Sequence, residues 1–238
     1  MGKINVQDKD IVVPGEALAE GMDYLPSGGA FRDKENIYAS RVGIVSINGR
    51  VIKLVPLNLR YMPRRGDRVI GQVSDVGPNA WYVEIGFYKE AAITLAEGSS
   101  EYIPKGADLT QYYAPGDYII ASVSSVSKNN SINLSLKGPG LRKLSEGRIL
   151  TVNPAKVPRI IGKEASMISL IKNMTDCRVM VGQNGLIWVS GMDPEKERIA
   201  VEAIEIIDKR AHISGLTDEI KNFLEKGLGG KSGVLKKD

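Results

Sequence analysis

The chain has 238 residues, with 32 Lys and Arg against 28 Asp and Glu, one His and one Cys. That length allows two or three small domains, and 42% hydrophobic with 25% charged side chains fits a globular chain. A single Cys excludes an intrachain disulfide, and one His with one Cys excludes a Cys/His metal centre. No apolar run reaches membrane-spanning length and MGKINVQDKD is no signal core, so a soluble cytoplasmic protein without membrane contacts is expected.

Charge is distributed unevenly. Residues 1–60 hold 8 basic and 7 acidic side chains, residues 61–137 hold 7 and 8, and residues 138–238 hold 17 and 13. The strip Arg142, Lys143, Arg148, Lys156, Arg159 and Lys163 faces only Glu146 in sequence. Such a strip is either a phosphate footprint or a solvated face.

In chain order, the polar first ten residues lead into short apolar runs. Ile11 to Glu16 reads as a strand ending in a turn, and Ser27-Gly28-Gly29 as a turn. Ile37 to Ile47 and Val51 to Pro56 read as two strands of a hairpin joined at Asn48-Gly49, both turn positions needing positive φ. Residues 1–61 are expected to form a small β domain without a catalytic constellation.

Met62-Pro63-Arg64-Arg65-Gly66-Asp67 marks a boundary. Five strand candidates follow: 68–76, 80–85, 90–95, 118–126 and 132–136. The long connection lies between the third and fourth. This spacing fits a five-stranded OB-type barrel over residues 62–138. The strings Gln72-Val73-Ser74-Asp75-Val76 and Trp81-Tyr82-Val83-Glu84-Ile85 resemble the S1 version of that barrel. Alternation puts Trp81, Val83 and Ile85 on one face and Tyr82 with Glu84 on the other, and Trp81 is expected in the core rather than facing a ligand. The S1 resemblance implies that Tyr82 stacks on a base of single-stranded RNA. It also puts Thr94 where many S1 domains carry a histidine, so one stacking group is missing. The segment is slightly acidic, which leaves local cations to hold phosphate: Arg64, Arg65, Lys89, Lys105 and Lys128.

Residues 139–238 begin with a strand at Arg148 to Val152. Val157, Ile160 and Ile161 then form a short helical face that stops at Gly162, and Ile168 and Ile171 mark a second helix. Cys177, Val179 and Val181 alternate as a strand, Gly182 to Gly185 is a turn, and Leu186 to Val189 is a further strand. A helix opens at Pro194 and carries Ile199, Ala203, Ile206 and Ile207. The order βααββα is that of a KH module, in which a Gly-x-x-Gly loop brings backbone against the sugar-phosphate chain. Here the loop is Gly162-Lys163-Glu164-Ala165, with Ala at a position that favours glycine and an acidic side chain facing a phosphate site. Either the module packs without clamping RNA, or Arg159, Gly162 and Lys163 contact it. Thr217 to Glu225 reads as a short amphipathic helix, and GLGGKSGVLKKD as a flexible basic tail.

The whole, an α+β multidomain chain, resembles the RNA-binding S1/KH cap subunit of the archaeal exosome. The strings that carry this are Val13-Pro14-Gly15-Glu16, Ile37-Tyr38-Ala39-Ser40, Val157-Pro158-Arg159-Ile160-Ile161-Gly162-Lys163 and Gly182-Gln183-Asn184-Gly185. The resemblance implies three copies forming a trimeric cap on a hexameric ring of RNase PH-like subunits. It implies S1 barrels around the RNA entry pore, and a structural role for Gly-x-Asn-Gly. The 3′-to-5′ degradation would belong to the ring, so this chain is expected to be non-catalytic and to need no cofactor. A translation-associated S1/KH factor shares the modules but not the N-terminal β domain.

Overall fold

The computed structural model describes residues 2–57, 60–99, 101, 103–104, 106–211 and 215–229. The chain divides into two compact units, residues 1–59 and 60–238.

In the first unit the strands are β1 (Lys3–Ile4), β2 (Ile11–Val12), β3 (Ala17–Glu20), β4 (Leu25–Gly28), β5 (Ala30–Asp33), β6 (Asn36–Ala39), β7 (Gly43–Asn48) and β8 (Val51–Pro56). They form two four-stranded sheets, ordered β1-β3-β6-β5 and β2-β7-β8-β4. Val12, Leu18, Ala19, Ile37, Ala39, Val45, Ile52 and Leu54 fill the core.

Three expectations change here. The run from Ile37 to Ile47 is two strands in different sheets, broken at the exposed Ser40-Arg41-Val42. Ser27-Gly28 is strand rather than turn, paired in parallel with Lys53-Leu54. A Cβ on Gly28 would lie 2.5 Å from the Leu54 carbonyl oxygen, so this glycine serves close strand approach. The hairpin exists, but Asn48 pairs with Val51, which leaves Gly49-Arg50 as the two-residue loop. Only Gly49, at φ 58, is left-handed there, the pattern of a type II′ turn. Because β7 and β8 are both interior strands, the free edges of that sheet are β2 and β4.

In the second unit β9 (Arg68–Val76), β10 (Ala80–Glu84), β11 (Ala91–Thr94), β12 (Tyr118–Val126) and β13 (Ile132–Ser135) close a barrel, since β13 pairs with both β11 and β12. Val69, Val73, Trp81, Val83, Ile93, Ile119, Val123 and Leu134 alternate inward as its core. A short helix α1 (Leu95–Gly98) follows β11, and β14 (Arg142–Lys143) adds to β12.

The C-terminal part runs β15 (Arg148–Thr151), α2 (Val157–Ile161), α3 (Ser166–Thr175), β16 (Arg178–Val181), β17 (Leu186–Ser190), α4 (Pro194–Arg210) and α5 (Leu216–Gly229). Its sheet order is β15-β17-β16, antiparallel throughout. Asp193 caps α4 by accepting from the Glu195 N–H, with Pro194 in the first turn and Lys209 and Arg210 in the last. One sheet face, through Val179, Ile187 and Val189, packs under the helices. α5 joins that core through Leu216, Ile220 and Leu224 and extends to Gly229. Gly227 to Gly229 of the expected tail are therefore helical, and residues 230–238 lie outside the described residues.

The other sheet face turns to the barrel. Trp188 packs with Ile70, Ile120 and Leu144, so two outward-facing barrel residues are buried. Next to them, the Asn184 amide donates to the Ile70 carbonyl (2.7 Å) and the Ile85 carbonyl (3.0 Å), and its oxygen accepts from the Ile70 N–H (3.2 Å). A Cβ on Gly182 would meet the Ile70 nitrogen at 2.8 Å, so only glycine lets the loop come this close. These contacts tie the sheet to the barrel as layers of one unit.

Candidate nucleic-acid interface

The outer face of β10 and β11 is the surface an OB barrel offers to a nucleic-acid strand. Tyr82 stands on it, opposite Ala92 on β11 and Asp75 on β9, and is 39% exposed. Its ring lies over Gly77, where a Cβ would come within 3.1 Å of Cε2. A bulge between Tyr82 and Val83 increases the local bend of the sheet. Thr94 is exposed on the same face opposite Ala80, two positions along from Ala92. Trp81 points inward and is fully buried. Its Nε1 donates to the Leu109 carbonyl at 3.0 Å, and the Tyr112 and Tyr113 rings meet it edge-on.

The loops that carry Lys89 and Lys128 meet at one end of this face. The Lys89 Nζ donates to the Asn129 carbonyl at 2.6 Å, next in chain to the exposed Lys128. Arg64 and Arg65 are exposed in the turn before β9. That turn is fixed by the Asp67 carboxylate, which accepts from the Arg64 N–H and the Tyr61 hydroxyl, both at 2.9 Å. Burial, then the hydrogen bond to Asp67 and its charge, push the Tyr61 hydroxyl far above its ordinary pKa. The turn is laced to β12 by paired backbone bonds between Gly66, Asp67 and Val123. Lys105 lies outside the described residues, as does His212.

Sequence reasoning passed over one residue here. Tyr88, in the loop between β10 and β11, is 67% exposed. The available signal was an aromatic beside a lysine in a short loop between two strands of an OB pattern.

Arg159 and Lys163 are exposed on the C-terminal part, away in sequence from the barrel cations. Gly162 has φ 76, and a Cβ there would lie 2.7 Å from the Met167 nitrogen, so it is required by packing against α3. Glu164 (φ 53) and Ala165 (φ 62) are both left-handed, although neither is glycine. The expectation that Ala disfavours such a position meets a chain that adopts it regardless, at a cost of about 1–2 kcal/mol per residue. Glu164 precedes the first turn of α3, where a carboxylate is favoured by the helix dipole and repels phosphate.

At least three cations of the basic strip are engaged with carboxylates: Lys143 with Asp117 (2.5 Å), Arg148 with Glu197 (2.7 Å) and Lys156 with Asp208 (3.4 Å). It is therefore not one continuous phosphate footprint. Among the described residues no three His, Cys, Asp or Glu side chains converge as a metal set. Among the described residues no helix is long and apolar enough to cross a membrane. Cys177 is buried beneath the helices, and burial raises its thiol pKa.

Comparison with known proteins places this geometry. Residues 60–125 match the family described as RRP4, S1 domain, and residues 147–195 match a KH domain family. Exosome complex component Rrp4 of Thermococcus kodakarensis is 41% identical over 227 residues, covering 94% of this chain and 88% of that protein. The protein of the same name from Methanothermus fervidus is 41% identical, covering 94% and 98%. A crystal structure described as an exosome complex RNA-binding protein superposes with a TM-score of 0.66 at 35% identity, covering 72% of this chain and 98% of the other. At about 41% identity over 94% of its length, the chain belongs to the Rrp4 family of archaeal exosome components.

Proposed function

We propose that this chain is a non-catalytic RNA-binding component of the exosome. It caps a hexameric ring of RNase PH-like subunits as one of three copies in the cytoplasm. It recruits single-stranded RNA, threads it into the pore for 3′-to-5′ degradation and so raises processivity. The observation that carries the reading is the OB face itself. Tyr82 offers a partly exposed ring on β10, and the loops that carry Lys89 and the exposed Lys128 meet at the end of the same face. Base stacking and backbone attraction are the two interactions by which a barrel holds a strand without reading sequence.

Docking to the ring is assigned to the N-terminal β domain, residues 1–61. On the β2-β7-β8-β4 sheet, Ile11, Ile44 and Val55 are cross-strand neighbours on one face. Ile11 is 60% and Val55 43% exposed, with Val13 and Val42 exposed beside them. An exposed apolar face of this kind suits a protein partner. The near-balanced charge does not suit phosphate. The KH part helps to hold the cap and lends non-specific attraction through Arg159 and Lys163.

Native mass measurement of the chain mixed with RNase PH-like ring subunits tests the assembly. A complex of three copies per ring is expected for the full chain, and its loss on deleting residues 1–60. Normal capping by the truncated chain would move docking to the KH part. The pure chain is expected to leave labelled RNA intact with phosphate and magnesium present. Shortening that a point change in this chain abolishes would make it an enzyme.

A further inference from the structure

The two loops that carry Lys89 and Lys128 also hold an exposed aromatic ring between them. Asn130 Nδ2 donates to Tyr88 Oη at 2.8 Å, and Lys89 Nζ donates to the Asn129 carbonyl at 2.6 Å. Each loop therefore holds the other through one side chain. Asn130 itself is left-handed at φ 56. Phe87 backs the Tyr88 ring at 4.4 Å between centroids, and Lys89 Nζ sits 5.7 Å from the Tyr88 centroid. Phe87 is itself packed on the barrel core. The ring is thus anchored from behind and from the side, yet two-thirds of the residue is exposed.

An exposed tyrosine at a loop tip usually spends its hydroxyl on solvent and is free to turn. This one is held by an interloop hydrogen bond. A pre-positioned ring with a lysine over it and a second exposed lysine on the neighbouring loop suits a nucleotide base with its phosphates. Thr94, at the other end of β11, supplies no ring.

We propose that Tyr88 is a second base-stacking residue of the barrel, with Lys89 and Lys128 holding the adjoining phosphates, so that the strand is gripped at the loop end as well as at Tyr82. The ligand is a single-stranded nucleic acid, and the proposal rests on the RNA-binding reading above. Glu84 and Glu90 are exposed where β10 leaves and β11 re-enters this loop. They repel phosphate, so the backbone of the strand runs on the Lys89–Lys128 side.

The test is fluorescence anisotropy of a labelled 12-nucleotide single-stranded RNA against the full chain and its Tyr88→Ala, Tyr88→Phe, Tyr82→Ala and Lys128→Ala variants, across a salt series. Thermal melts of each variant check the fold. Tyr88→Ala should weaken binding about 5- to 150-fold, the range for one lost stack, without changing the salt slope. Tyr88→Phe keeps the ring but loses the Asn130 hydrogen bond, and should weaken binding less than Tyr88→Ala. Lys128→Ala should lower the salt slope by about 0.7, one phosphate's worth for a single strand. If Tyr88→Ala binds like the parent while Tyr82→Ala weakens, the second platform is wrong and the RNA-binding reading stands. If the parent itself does not bind, both fall together.

Discussion

Replacing Asn184 tests the joint between barrel and KH sheet. Asn184 is 7% exposed and makes three hydrogen bonds to barrel backbone: from Ile70 N–H, and to the Ile70 and Ile85 carbonyls. Asn184→Ala leaves all three backbone groups without their partner in a site walled by Trp188 and Ile70. At about 1 kcal/mol or somewhat more for each, the loss is about 3–5 kcal/mol. That is a large share of the usual stability of a domain, about 5–15 kcal/mol. Asn184→Asp has the same shape but turns a carboxylate toward two carbonyl oxygens, so it should cost more than Ala. Gln183→Ala, which removes one bond to the Arg68 N–H at the surface, should cost less than about 1 kcal/mol. The assay is urea unfolding followed by tryptophan fluorescence. The two tryptophans report separately, since Trp81 lies in the barrel core and Trp188 at the joint. The expected order of midpoints is parent, Gln183→Ala, Asn184→Ala, Asn184→Asp. An Asn184→Ala midpoint within about 0.5 kcal/mol of the parent would refute the reasoning, because buried backbone groups would then have lost their partners at no cost.

Ala165→Gly should raise stability by about 0.5–1 kcal/mol in the same assay by relieving a φ of 62°, and a lowered midpoint would mean that the Ala165 methyl packing outweighs the strain. Glu164→Lys should leave RNA affinity and its salt slope unchanged if the KH part only packs, whereas tighter binding with a steeper slope would make the loop a phosphate contact. Burial alone would raise the Asp117 carboxyl, but the hydrogen bond from Lys143, the Ala114 N–H and the Lys143 charge outweigh it and hold it below its ordinary value. Its contribution is therefore complete above the unfolded carboxylate pKa of about 3.9 and is lost as pH falls through the lower folded value. With Lys143 half exposed the pair is worth less than about 1 kcal/mol, and Lys143→Met should flatten stability against pH only below about pH 4, which acid titration of the melting temperature reads directly. Tyr82→Ala should weaken single-strand RNA binding by about 1–3 kcal/mol, and unchanged affinity with an intact melt would leave the strand to the cations.

Local pattern determined much of this protein. The five barrel strands, the βααββα order and the helix opened by Pro194 all follow from periodicity, turn residues and caps, because each depends on neighbours a few positions away. The inward Trp81 and outward Tyr82 follow from alternation alone. Tertiary structure decided the rest. The apolar run from Ile37 to Ile47 reads as one strand until its two halves are needed by different sheets. Asn48-Gly49 signals a hairpin, but the cross-strand register that makes Gly49-Arg50 the loop depends on the packing of Ile47 and Ile52 in the core. Ile70 and Ile120 point out of the barrel and look misplaced until Trp188 covers them. Lys143, Arg148 and Lys156 read as free cations because Asp117, Glu197 and Asp208 are 26 to 52 residues away in the chain. Tyr88 and Asn130 are 42 residues apart, and only closure of β13 onto both β11 and β12 brings their loops within a hydrogen bond. Pairing between distant residues leaves no periodic trace in a single sequence, since either partner alone is an ordinary surface residue.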